Sequence, residues 1–177
     1  VTGVQTWLFR SYDYVLGLYD FLERLNKNYP DILIEGCSGG GVRFDAGMLY
    51  YTPQIWCSDN TDAIDRTKIQ YGTSFGYPVS AVGAHVSAVP NHQTGRSVSI
   101  DTRGVVAMSG SFGYELDLGK VSEAEKNTIK EQIKTFKKEA ELIHNGLYYR
   151  LSDPYKDPVA AWEFVSKDGR SEERRVG

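Results

Sequence analysis

The chain has 177 residues, of which 41% are hydrophobic and 12% aromatic, an ordinary composition for a folded globular protein. With 20 Lys and Arg against 23 Asp and Glu it lacks the basic surface that neutralises phosphates, so nucleic acid and anionic membranes are disfavoured as main partners. No stretch nears the roughly 18 apolar residues of a membrane-spanning helix, and Cys37 and Cys57 are too few for a disulfide scaffold or a four-thiolate zinc site.

Both ends have a foreign character. Residues 1–11 and 170–177 resemble the conceptual translation of short-read sequencing adapters, and such segments are set apart before fold reasoning begins. On this reading residues 12–169 are an internal piece of a longer protein. They carry no true start at which a targeting signal would be sought.

From Tyr12 the apolar positions Val15, Leu16, Tyr19, Leu22 and Leu25 recur at three- and four-residue steps, which predicts a helix closed by Asn28-Tyr29-Pro30. Asp31-Ile32-Leu33-Ile34-Glu35 reads as a buried strand running into the glycine loop at Ser38, Gly39, Gly40 and Gly41. Gln54-Ile55-Trp56-Cys57 is a second strand, followed by a helix from Ala63 to about Tyr71. A third strand over residues 82–87 leads to Pro90-Asn91-His92 and a helix over about 99–107, and a fourth lies near residues 112–116. The clearest helix begins at Ser122, with Glu125 at the capping-box spacing and Ile129, Ile133, Phe136, Ala140 and Ile143 as its apolar stripe. Asn145-Gly146 ends it, and a boundary is placed there. Beyond it come a turn region over 147–158 and a β segment near Trp162 and Phe164.

Four strand–loop–helix units predict a parallel α/β architecture, either a doubly wound sheet or half of an eight-stranded barrel. In both, chemistry sits at the C-terminal ends of the strands, here Cys37-Ser38, Ser58-Asp59, His85 to Ser87 and Glu115 to Asp117.

Gly36-Cys37-Ser38-Gly39-Gly40 fits the G-x-S-x-G nucleophile elbow, with His85 or His92 as a base, but that motif needs a helix directly after the serine. Successive glycines oppose one, each costing about 1 kcal/mol against Ala. The phosphate-binding glycine patterns are unmatched. The remaining use of such glycines is to let backbone N–H groups approach a small polar ligand. Asp62 reads as charge at a helix N-terminus. Asp59 lies at the strand end beside Trp56, where partial desolvation would fit a carboxyl group to donate a proton. The three histidines form no metal-ligand pattern, with His144 a helix C-terminal cation and the others loop or core hydrogen-bonders.

Cys37-Ser38-Gly39-Gly40-Gly41-Val42-Arg43-Phe44-Asp45, then Trp56-Cys57-Ser58-Asp59-Asn60-Thr61-Asp62-Ala63-Ile64-Asp65-Arg66, then Gly83-Ala84-His85-Val86-Ser87 with Pro90-Asn91-His92-Gln93, resemble the microbial α-galactosidases of glycoside hydrolase family 36. Ser111-Phe112-Gly113-Tyr114-Glu115 extends the match across nearly all of residues 12–169. Val42 stands where Gly is usual and Cys57 where Thr is common.

The resemblance implies the C-terminal half of a (β/α)8 (TIM) barrel over 12–146 and the start of a β-sandwich domain over 147–169. It implies retaining hydrolysis of terminal α-D-galactosyl groups, as in melibiose and raffinose-type sugars, by two carboxyl groups about 5–5.5 Å apart. Asp59 matches the acid/base. Cys37, Ser38, Gly39 and Gly40, with Asp59, match the galactose pocket, while Arg43, Asp45, Asp62 and Arg66 match positions of orienting pairs. Cys37 as a small buried filler is the plainer alternative. The family's nucleophile lies in a Lys-Trp-Asp type motif that this chain lacks, so the chain alone is expected to be inactive. The family implies an α-galactoside substrate, no metal or organic cofactor, a homotetrameric full-length protein and, for a bacterial member, the cytoplasm. Two other classes stay open: a sugar-binding module without catalysis, and a serine hydrolase using Ser38.

Overall fold

The computed structural model describes residues 3–37, 39 and 44–176, with side chains described over 11–37, 39 and 44–172. Of the residues singled out above, Ser38, Gly40, Gly41, Val42 and Arg43 lie outside the described residues.

Helix α1 (Gly3–Asn28) bears the predicted apolar stripe and starts nine residues ahead of Tyr12. Within the chain the stripe is covered only in part: Leu22 is buried, while Val15 and Leu16 are exposed. Strand β1 (Glu35–Gly36) is followed by α2 (Ala46–Tyr51), a short helix that the sequence reading leaves out. Asp45 caps α2 by accepting from the Met48 N–H at 2.8 Å. Strand β2 (Gln54–Ile55), α3 (Ala63–Thr73), β3 (Gly83–Ser87), α4 (Ile100–Ala107) and β4 (Ser111–Glu115) then follow as predicted, each boundary within a few residues.

Helix α5 (Glu123–Asn145) forms as its capping signal demands. The Ser122 hydroxyl accepts from the Glu125 N–H at 3.2 Å, and the Glu125 carboxylate accepts from the Ser122 N–H at 3.2 Å. Two of the orphan donors at the helix start are thereby satisfied.

The buried strand expected over 31–35 is corrected. Only Glu35 and Gly36 pair, and Leu33 is 88% exposed with Ile32 also exposed, because β2 covers one side of β1 and no described strand covers the other. Residues 147–150 also differ from the expected turn: they form β5 (Leu147–Arg150), antiparallel to β6 (Ala161–Val165), which pairs in turn with β7 (Glu172–Val176). The turn chemistry of Pro154 and Pro158 lies in the connection between β5 and β6.

The parallel strands adjoin in chain order. Glu35 pairs with Gln54 and Gly36 with Ile55, a single bridge joins Ile55 to Val82, and Gly83 through Ser87 pair with Ser111 through Glu115. Parallel strands that adjoin in chain order bring all four C-terminal ends to one edge. The helical layer is held by Ala84, Val86, Ile100, Ala107 and Ile129, with Phe112 and Tyr114 packed against them. A second cluster joins Val79, Val106 and Ile143 to Trp162 and Phe164, so the antiparallel sheet packs on the α/β layer through a shared core. Burying a side chain the size of Phe164, which is inaccessible, contributes about 1.5–3 kcal/mol.

Helices α4 and α5 meet at Gly104, where a β-carbon would collide with the amide group of Gln132. That amide cannot swing aside freely, since it donates to the Ile100 carbonyl at 2.8 Å and accepts from the Tyr114 hydroxyl at 2.7 Å. Gly104→Ala in the protein carrying this segment is therefore expected to lower stability by about 1–3 kcal/mol, read as a fall in the urea midpoint at unchanged slope.

Candidate active site

The site is built where β2 leaves the sheet. The Trp56 N–H donates to the Gly36 carbonyl at 2.8 Å, which carries the β1–β2 pairing one step further and sets Cys37 beside the start of the 56–62 segment. Ala84 and Val86 point into the helical layer, so His85, at the alternate position, faces the other side of the sheet. There the Trp56 and His85 rings stack, with centroids 4.7 Å apart. Gly83 and Gly113 leave the room: a β-carbon on either would lie 3.1 Å from the Trp56 or the His85 ring. His85 Nδ1 lies 3.6 Å from the Glu115 carboxylate, inside ion-pair range and beyond a hydrogen bond, and it makes none among the described residues.

Beneath Trp56 lies Arg66 of α3. Its guanidinium is 4.6 Å from the indole centroid and donates to the Ser58 carbonyl at 3.2 Å, to the Gly83 carbonyl, to Cys57 Sγ at 3.8 Å and to Gln70 Oε1 at 3.1 Å. Burial pulls this guanidinium below its ordinary pKa, and the Cys57 thiol beside it works in the opposite direction.

Residues 60–62 are tied just as closely. The Asn60 side chain donates to Asp65 Oδ2 at 2.8 Å and accepts from the Asp62 N–H at 3.0 Å. Asp62 caps α3, accepting from the N–H groups of Ile64 at 2.9 Å and Asp65 at 3.1 Å. Its fully buried carboxylate also accepts from the Thr94 hydroxyl at 2.7 Å and forms an ion pair with Arg96. Burial pushes the Asp62 pKa up, yet the hydrogen bonds from Thr94 and the Asp65 N–H, with Arg96, outweigh it and hold the group below its ordinary value.

Thr94 and Arg96 come from the loop after β3, which closes on itself through the Asn91 N–H to the Arg96 carbonyl and the Gly95 N–H to the Asn91 carbonyl, both at 2.8 Å. Gly95 has φ of 71°, the left-handed backbone that L side chains resist, and this turn aims Arg96 back at α3. From the same loop the Asn91 amide donates to the Thr61 hydroxyl at 2.9 Å, and Gln93 Oε1 accepts from the Thr61 N–H at 3.1 Å.

Asp59 stands apart. Every other residue from Cys57 to Asp62 is held by a hydrogen bond, whereas the Asp59 side chain is exposed and has no hydrogen-bond or ion-pair partner among the described residues. This corrects the expected partial desolvation, since the Trp56 ring turns to His85 and Arg66 and does not cover it. Cys37 is also exposed, which removes its reading as a buried filler. Gly39 follows with φ of 69°.

Asp62 and Arg66, read as possible orienting partners, do not pair with each other. Asp62 takes Arg96, and Arg66 takes backbone carbonyls. Arg96 and Thr94 are the partners of Asp62 that sequence reasoning misses. The Asn91 to Gly95 stretch carries a turn signal, but nothing local links it to an aspartate 34 positions earlier. Among the described residues no group of three or more His, Cys, Asp or Glu is placed to hold a metal ion, and no helix is long and apolar enough to cross a membrane.

A family model described as Melibiase matches residues 4–146, which hold the whole of this site. The chain belongs to the Melibiase family. It is 71% identical over 158 residues to the bifunctional alpha-galactosidase/sucrose kinase AgaSK of Mediterraneibacter gnavus, covering 89% of this chain and 17% of that protein. To alpha-galactosidase AgaA of Geobacillus stearothermophilus it is 58% identical over 162 residues, covering 92% of this chain and 22% of AgaA. The solved galactosidase domain of AgaSK superposes with a TM-score of 0.92 at 68% identity over 94% of this chain and 23% of that one. Crystal structures of AgaA variants, described as glycoside hydrolase family 36 enzymes in complex with raffinose and with 1-deoxygalactonojirimycin, superpose with a TM-score of 0.87 over 89% of this chain and 22% of each AgaA chain. This Melibiase chain thus spans about a fifth of the length of these relatives, and the family resemblance read from its motifs holds.

A carboxylate with a depressed folded-state pKa stabilises the fold above its unfolded value, near 3.9, and that contribution is lost as pH falls through the lower folded value. Asp62→Asn should therefore destabilise the protein carrying this segment by about 1–3 kcal/mol at pH 7. Urea unfolding from pH 7 to pH 3 should show the gap between the two proteins narrowing toward acid.

Proposed function

We propose that this chain is the part of a retaining α-galactosidase that supplies the acid/base carboxyl group and one wall of the galactose pocket. The observation that carries the reading is Asp59: an exposed carboxylate on the C-terminal strand edge, without a partner among the described residues, in a segment whose other residues are all anchored. A proton donor must be fixed in place through its backbone while its carboxyl group stays open to the substrate.

On this reading residues 12–146 are the later half of a (β/α)8 barrel and residues 147–169 begin a β-sandwich domain. The chain-order parallel strands and the change to antiparallel pairing after Gly146 support it. Asp59 protonates the leaving glycosidic oxygen and then takes a proton from water, while the nucleophile comes from a part of the barrel outside this chain. Cys37 and Gly39, with Ser38 and Gly40 between and beside them, contact the sugar hydroxyls. The substrate is a terminal α-galactoside of the raffinose type, the sugar bound in one AgaA complex. Of the nearby carboxylates among the described residues, Asp62 and Asp65 are engaged by Arg96, so neither is free to serve as the partner of Asp59.

The test exchanges residues 12–169 for the matching segment of the AgaSK galactosidase domain. The chimera should hydrolyse raffinose and p-nitrophenyl α-D-galactoside, and Asp59→Asn should lower turnover of raffinose by about 10²–10⁴-fold with a much smaller loss on the activated p-nitrophenyl substrate. The isolated chain should release no p-nitrophenol. An Asp59→Asn chimera as active as its parent would contradict the assignment, near-complete loss in Ser38→Ala would favour a serine hydrolase, and sugar binding without turnover would favour a binding module.

A further inference from the structure

The loop after β3 is more than a connection between β3 and α4. Four of its side chains reach to the segment that follows β2: Asn91 and Gln93 to Thr61, Thr94 and Arg96 to Asp62. Arg96 Nη1 touches both Asp62 Oδ1 and, at 3.3 Å, Asp65 Oδ1, so one guanidinium joins the loop to the first turn of α3. Asp65 also receives the Asn60 amide at 2.8 Å, which passes the constraint to the residue next to Asp59. On the opposite side Arg66 grips the Ser58 carbonyl. Asp59, unpartnered among the described residues, is therefore the apex of a short arch, with Arg66 holding the foot at Ser58 and Arg96 the foot at Asp62.

From this juxtaposition we infer that Arg96 is a positioning residue for the Asp59 carboxyl group: it sets where the proton donor stands by fixing Asp62 and Asp65, without touching the substrate. The inference rests on Asp59 being the acid/base. Arg96 is part-exposed, but its target carboxylate is fully buried, so losing the guanidinium leaves a charged acceptor without its cation and lets the arch relax. Misplacing a general acid by about 1 Å lowers the chemical step by about 10²-fold, and the loss falls on substrates whose leaving group needs the proton.

The chimera with residues 12–169 is the vehicle. Arg96→Ala should lower kcat on raffinose by about 10²-fold while changing kcat on p-nitrophenyl α-D-galactoside by about threefold or less, with KM for raffinose little changed. Arg96→Lys, which keeps the charge, should recover most of the loss. In an Asp59→Asn background Arg96→Ala should cost less than about twofold further, because the group it positions is already gone. Should Arg96→Ala not fold, Thr94→Val, which removes one hydrogen bond to the same carboxylate, should show a smaller loss with the same preference for raffinose.

Equal losses on both substrates, or losses that multiply in the double variant, would overturn the positioning role and leave Asp59 as the acid/base. Unchanged activity in Asp59→Asn alone would overturn both.

Discussion

The buried guanidinium of Arg66 is the interaction on which the site is assembled. It leaves α3, passes under the Trp56 ring and donates to carbonyl oxygens at two different strands, Ser58 after β2 and Gly83 at the start of β3. Taking such a charge from water is costly, and no carboxylate lies within ion-pair range of it among the described residues; dipoles and a stacked ring stand in its place. The arrangement holds only if every donor is met. Gln70 extends it, accepting from Arg66 while its own amide donates to the Val106 carbonyl at 3.1 Å and to the Ser109 hydroxyl. One polar chain thus runs from the segment bearing Asp59, through α3, to the end of α4.

Around that chain the edge of the sheet divides into anchored and free groups. Trp56 and His85 stack in space that two glycines leave open, Glu115 lies near the imidazole, and the loop after β3 bonds to Thr61 and Asp62. Cys37 and Asp59 stay exposed. Rigidity beneath and freedom at the tip are what a proton donor needs, since its geometry must be set before the substrate arrives. The same logic explains the exposed apolar run at Ile32 and Leu33 and the bare stripe of α1. On the proposed barrel reading these faces meet neighbours from outside this chain, which spans about a fifth of the relatives' length.

What could be read from the sequence was what depends on near neighbours along the chain. The α5 capping box needs only Ser122 and Glu125 and formed as read, and the strand–loop–helix rhythm needs only local apolar periodicity. The apolar run over 31–35 does not become a buried strand because no strand among the described residues packs on Ile32 and Leu33. Helix α2 was missed because six residues containing Gly47 are too short to show a period, although Asp45 already marked its start. Residues 147–150 were misread since β5 exists only by pairing with β6, across the proline turns. The motif singles out Asp59 as a candidate, but its environment is not legible there: the ring expected to cover it is engaged elsewhere. Arg96 was invisible because its meaning lies in a contact that closes only when β2 and β3 stand side by side.

On the proposed function, the arch from Ser58 to Asp62 presents Asp59 to the glycosidic bond. A crystal structure of the chimera bearing residues 12–169, soaked with 1-deoxygalactonojirimycin, the inhibitor seen in an AgaA complex, tests it directly. The account predicts the Asp59 carboxyl group on the leaving-group side of the inhibitor ring, about 2.6–3.2 Å from the ring position where the glycosidic oxygen or its bridging water would sit, with the bonds from Arg66 and Arg96 intact. An inhibitor bound away from this edge, or an Asp59 carboxylate turned from the ring while those bonds persist, would contradict it.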